Sequence, residues 1–230
     1  EIFYDQMARN LNSDNFTGSM WNGVTSIADR HNDPGKFTAL IGYEWSSGQG
    51  HRVVIFKDNA EKVSKIIPFS KFDSERPEDL WSFLSDYEQN LGGEVLAIPH
   101  NGNTSGGNMF KLTHSNGEPF SQRYAKRRSQ WEPLVEVTQI KGDSETHPLL
   151  SPFDEFADYE TWQHPLPNQD ESIDRQYEYA RSALKLGLAQ KAKLGANPFK
   201  FGMIGSTDSH TSMATADEDN FWGKFTIGEP

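Results

Sequence analysis

Apolar residues in this chain come in short bursts divided by polar, glycine-rich turns, and the bursts alternate between helical and strand periods. Trp21, Val24, Ile27 and Ala28 share one helical face, and Asp33-Pro34-Gly35 supplies the stop. Residues 37–43 read as a strand with Glu44 at its end. A short loop then leads to His51 and a second apolar run over 53–56. Between residues 74 and 91, Leu80, Leu84, Tyr87 and Leu91 fall at helical spacing. Pro77 lies near that start and Gly92-Gly93 ends the run. Residues 95–98 and 134–140 are further strands, and Ile173, Tyr177, Ala180, Leu184 and Leu188 mark a helix closing near Gly195. The last strand, 199–204, reads as buried and stops at Gly205. Strands alternating with helices predict a mainly parallel α/β sheet or barrel. The stretch 101–131 is a long loop rich in Gly, Asn and Ser that turns basic at Arg123, Lys126, Arg127 and Arg128. That basic cluster reads as a solvated helix face.

A length of 230 residues suits one domain with a sizeable core, and 24% charged with 12% aromatic residues marks a globular chain. The net charge of −11 argues against nucleic-acid binding, which needs positive surface to displace counterions. A small anionic substrate is compatible with that charge, because bound cations reverse the local potential. With no cysteine, a transition metal must be held by His and carboxylate. No run reaches the roughly 20 apolar residues of a membrane span, and no signal peptide is visible. The chain opens on Glu1 without Met, which suggests a trimmed or partial polypeptide.

Chemistry concentrates where strands end. The run Gly205-Ser206-Thr207-Asp208-Ser209-His210 follows the last strand with a carboxylate and an imidazole two positions apart. That pair suits zinc, manganese or iron. Glu44 and His100 occupy other strand ends, and in α/β folds the carboxyl ends of parallel strands converge on one rim. His51 opens the strand after Glu44, and a tight antiparallel pairing of those two strands would bring it close to Glu44. These five residues are the candidate metal ligands, with Asp208 or His210 as candidate proton carriers to a leaving group. A bridging Glu44 could serve two ions ~3.5–4 Å apart, the spacing that clamps a phosphoryl displacement. His31, His114, His147 and His164 read as surface residues. Glu136 either backs the site or faces water, and Arg52 and Lys141 could meet a substrate anion.

The segments Ile41-Gly42-Tyr43-Glu44-Trp45, Ile98-Pro99-His100-Asn101, Val135-Glu136-Val137 and Gly205 to His210, with Glu218-Asp219-Asn220-Phe221-Trp222-Gly223-Lys224, carry a resemblance. They resemble the polymerase-and-histidinol-phosphatase (PHP) superfamily, and more closely the PHP-like family catalogued as domain of unknown function 3604. The resemblance implies a distorted (β/α)7-type barrel holding as many as three zinc, manganese or iron ions. It also implies metal-dependent hydrolysis of a small anionic ester, typically a phosphoester, and often export from the cytoplasm. It assigns Glu44, His51, His100, Asp208 and His210 as ligands. The superfamily's opening His-x-His is missing, since no two of the seven histidines are separated by a single residue. The chain is therefore expected to be an incomplete barrel. The rival readings are a noncatalytic binding module with a partial site, and a hydrolase of sulfate or carboxylic esters.

Overall fold

The computed structural model describes residues 14–162, 174–210 and 219. The expected motif around 218–224 (Asp219 apart), His164 and Ile173 lie outside them. Helix α1 (Asp14–His31) is followed by strands β1 (Ile41–Trp45) and β2 (His51–Phe56) and the short helix α2 (Ala60–Val63). Helix α3 (Pro77–Leu91) leads to strand β3 (Val95–His100) and a 3₁₀ turn at Gly102–Thr104. Helix α4 (Gln122–Trp131), strands β4 (Leu134–Gln139) and β5 (Gly142–Asp143), a 3₁₀ turn at Arg175–Tyr177, helix α5 (Ala180–Leu194) and strand β6 (Gly202–Gly205) complete the order.

The described residues divide into two compact units, 14–46 with 53–97, and 47–52 with 98–162 and 174–210. In the first unit, the sheet of order β1-β2-β3 packs on α3. Leu80, Trp81 and Leu84 are fully buried, and Tyr87 stacks edge-on to Phe56 at 4.9 Å. Pro77 at the helix start and Gly92 in the left-handed region at its end (φ 60°) fix the limits of α3. Gly93 is required by space, because a Cβ there would lie 2.2 Å from the Tyr87 ring. Trp21 anchors α1 by donating from Nε1 to the Val63 carbonyl at 3.1 Å. The face expected from Val24 and Ile27 is instead exposed, and Thr25 is buried beside Trp21.

In the second unit β4 lies between β5, antiparallel, and β6, parallel. The expected barrel is not what forms: the described residues make two three-stranded sheets and five α-helices, with no closed barrel among them. The connections explain this. Only five residues join β1 to the neighbouring β2, too few for the crossover helix a parallel pair needs. Strand β5 has two residues and β6 four, short edges that offer little ladder for further closure. The last strand is also less buried than its apolar sequence predicts, with Met203 48% exposed. The helix expected from Ile173 begins at Ala180, and its buried face is Ala183 and Gly187, while Leu188 is exposed. Asn197 sits so close to Gly187 that a Cβ there would meet its Oδ1 at 2.2 Å.

The basic stretch also departs from expectation. Arg128, in α4, is buried and is no part of a solvated face. Its Nε lies 3.0 Å from Glu132, whose other oxygen lies 3.0 Å from Arg52 Nε. Arg52 also donates to the carbonyls of Gln49 and Gly50, at 2.9 and 2.7 Å. Arg52 is thus a structural cation that fastens the 47–50 loop, and the buried Glu132 carboxylate is paired with both guanidiniums.

Candidate metal centre

The parallel register between β4 and β6 builds one wall of the site. Glu136 faces Ile204 and Thr138 faces Gly205, and the Ser206 amide donates to the Thr138 carbonyl at 3.0 Å. The two strands therefore finish together, and the chain leaving β6 carries Asp208 over the end of β4. Asp208 takes a left-handed backbone conformation (φ 51°), rare for a residue with a Cβ. The carboxylate meets the end of β4 and the residues just beyond it. Gln139 Nε2 donates to Asp208 Oδ2 at 3.1 Å, and Lys141 Nζ contacts the same oxygen. His210 curls over the turn, with Nδ1 2.9 Å from the Asp208 carbonyl.

The other wall comes from the strands preceding it. His100 is the last residue of β3 and is almost completely buried. Asn101 follows it in the left-handed region (φ 59°), which ends the strand abruptly and starts the 3₁₀ turn. His100 Nε2 lies 3.9 Å from Asp208 Oδ1, and the His51 ring stands edge-on to His100 with centroids 5.5 Å apart. Gln139 also donates to Asn101 Oδ1, so one amide ties both unusual backbone turns together. Within the second unit, His51, His100, Asp208 and His210 thus supply three imidazoles and one carboxylate to the same strand ends. Glu44, expected beside them, lies in β1 of the first unit, where Ser46 Oγ donates to its Oε1 at 3.0 Å.

The donor chemistry fits a borderline divalent cation, with imidazole and carboxylate and no thiolate. Glu136, buried in β4, has its carboxyl pushed up to about 7, first by burial and then by the Asp208 charge. Beside His51 opens a cavity of about 230 Å³ lined also by Ser47, Asn101, Thr104, Ser105 and Lys141.

Arg52, a candidate for meeting a substrate anion, is committed to Glu132 and two carbonyls, whereas Lys141 lies on the site. His114 is no simple surface residue either, since its ring lies 4.1 Å from that of Tyr124. Gln139 and Asn101 are the residues that strand-end reasoning overlooks. A register shift between Glu136 and Thr138 breaks the two-residue alternation of β4, which hides the inward direction of Gln139. Asn followed by Gly after an apolar strand is the signal that marks Asn101.

A family model described as "Protein of unknown function (DUF3604)" matches residues 2–230. This corrects the wider resemblance, because nothing in that match connects the chain to the PHP superfamily. Neither a curated protein nor a solved structure gives a match.

Proposed function

Because the chain belongs to the DUF3604 family, whose description assigns no chemistry, we propose from its geometry that it is a metal-dependent hydrolase of a small anionic ester, most simply a phosphoester. The observation that carries this reading is the convergence of His51, His100 and Asp208 beside a cavity that also holds Lys141. His210 stands beside them on the turn that carries Asp208. A divalent cation bound there would supply an acidified water at neutral pH and a positive centre for charge developing on the ester oxygens.

The chain's own residues do the rest. Gln139 holds the Asp208 carboxylate in place, and the left-handed turn at Asp208 keeps it from relaxing into solvent. Burial of His100 fixes its ring direction through packing, so little ordering is left for the moment of cation binding. His210, exposed beside the same turn, is positioned to move a proton toward a leaving group.

The test is hydrolysis of p-nitrophenyl phosphate, bis-p-nitrophenyl phosphate, p-nitrophenyl sulfate and p-nitrophenyl acetate by metal-supplemented protein. Turnover of a phosphoester that EDTA abolishes, and that Asp208→Asn lowers at least about 100-fold, is the expected result. Metal-loaded protein that turns over none of the four esters contradicts it.

A further inference from the structure

We propose that the cavity beside His51 is a subsite for a tetrahedral oxyanion, with Lys141 as its counter-charge, and that Lys141 is shared between this anion and Asp208. The inference rests on the hydrolase reading for its biological sense, since it identifies where the charged end of the ester sits.

Lys141 is placed to serve both partners. It lines the cavity, and its Nζ contacts Asp208 Oδ2. Its backbone is held on both sides, since its amide donates to Gln139 Oε1 at 2.9 Å and its carbonyl accepts from Asn103 Nδ2 at 2.9 Å. Only the flexible side chain is left to move, and four methylenes let an ammonium swing about a fixed root. With a divalent cation held at Asp208, the Lys141 ammonium would be repelled from that carboxylate and left to face the cavity.

The cavity wall matches an anion better than an apolar ligand. Ser105 Oγ accepts from the Met109 amide at 3.2 Å, which leaves its own hydroxyl hydrogen to donate elsewhere. Thr104 and Asn101 add polar groups, and none of the lining residues is acidic. At about 230 Å³ the space lies below the ~300–1,000 Å³ of sites for drug-sized ligands, so it suits a compact group such as phosphate or sulfate. In a chain of net charge −11, an anion needs such a local cation to be held at all.

Isothermal titration tests this with inorganic phosphate, and separately sulfate, into wild type, Lys141→Met and Lys141→Arg, each with and without Mn²⁺. The expected result is phosphate or sulfate binding to the wild type, at least tenfold weaker in Lys141→Met and restored within about threefold in Lys141→Arg. Manganese strengthens anion binding to the wild type. Mn²⁺ itself binds Lys141→Met at least as tightly as wild type, because a competing cation is gone. An anion that binds Lys141→Met as well as wild type, or no anion binding to the wild type in either state, overturns the inference. Failure of Mn²⁺ to bind the wild type instead counts against the metal site. The anion measurements on metal-free protein still decide the role of Lys141 in that case. Which of the two anions binds more tightly distinguishes a phosphate from a sulfate ester.

Discussion

Glu178 shows how a single buried carboxyl sets the pH response of this protein. It is almost fully buried, with Arg175 Nη1 3.6 Å from its Oε2 and backbone amides of Gly106 and Gly107 bonded to it. Burial outweighs these partners and pushes the carboxyl from 4.5 up to about 7. The folded state therefore binds this proton more tightly than the unfolded chain. The stability it contributes is complete below about 4.5 and is lost as pH rises through about 7, in total on the order of 1–3 kcal/mol. Glu136 acts in the same direction. Urea midpoints at pH 5 and pH 8 check this: Glu178→Gln, which fixes the neutral form, should lose clearly less stability between them than the wild type. Parallel losses in the two proteins would remove Glu178 from the account.

At the scale of elements, the first unit rests on α3 and the second on the pairing of β4 with β6. Leu84 is fully buried in α3, whereas Leu188 in α5 is 65% exposed although both sit at helical spacing in the sequence. Leu84→Ala should cost about 2–5 kcal/mol, and Leu188→Ala should stay within about 0.5 kcal/mol, as read from chemical denaturation. Equal costs would mean that α5 packs through the face its leucines suggest. This contrast also shows what sequence pattern can and cannot reveal. The limits of α3 were legible because Pro77 and Gly92 act locally. The buried face of α5 was not, because it is made of Ala180, Ala183 and Gly187, small residues chosen by close approach that hydropathy does not register. The strand ends bearing His100 and Asp208 were readable from apolar runs stopping at polar residues, and His51 from the short loop that precedes the run 53–56. Sheet closure was not, since β5 and β6 are limited by their pairing and no local signal encodes their length. Arg128 misled for a related reason: its burial depends on Glu132 and the Met109 carbonyl, which only the folded chain supplies.

Across the whole molecule, 33 acidic residues against 22 basic ones make cations welcome almost anywhere, so affinity alone says little about a built site. No helix among the described residues is long and apolar enough to cross a membrane. What separates the proposed centre from diffuse acidity is its dependence on a buried imidazole and on one carboxylate held by Gln139 and Lys141. The most direct measurement is the stoichiometry and affinity of Zn²⁺ and Mn²⁺ binding, by calorimetry and elemental analysis, in wild type, His100→Ala and Asp208→Asn. The account predicts at least one ion per chain in the wild type. At a free-ion concentration ~100 times Kd, binding should add about 2.7 kcal/mol to stability. Each substitution should weaken affinity at least about tenfold. Wild-type protein that takes up no ion, or variants that bind as well as wild type, would contradict the account.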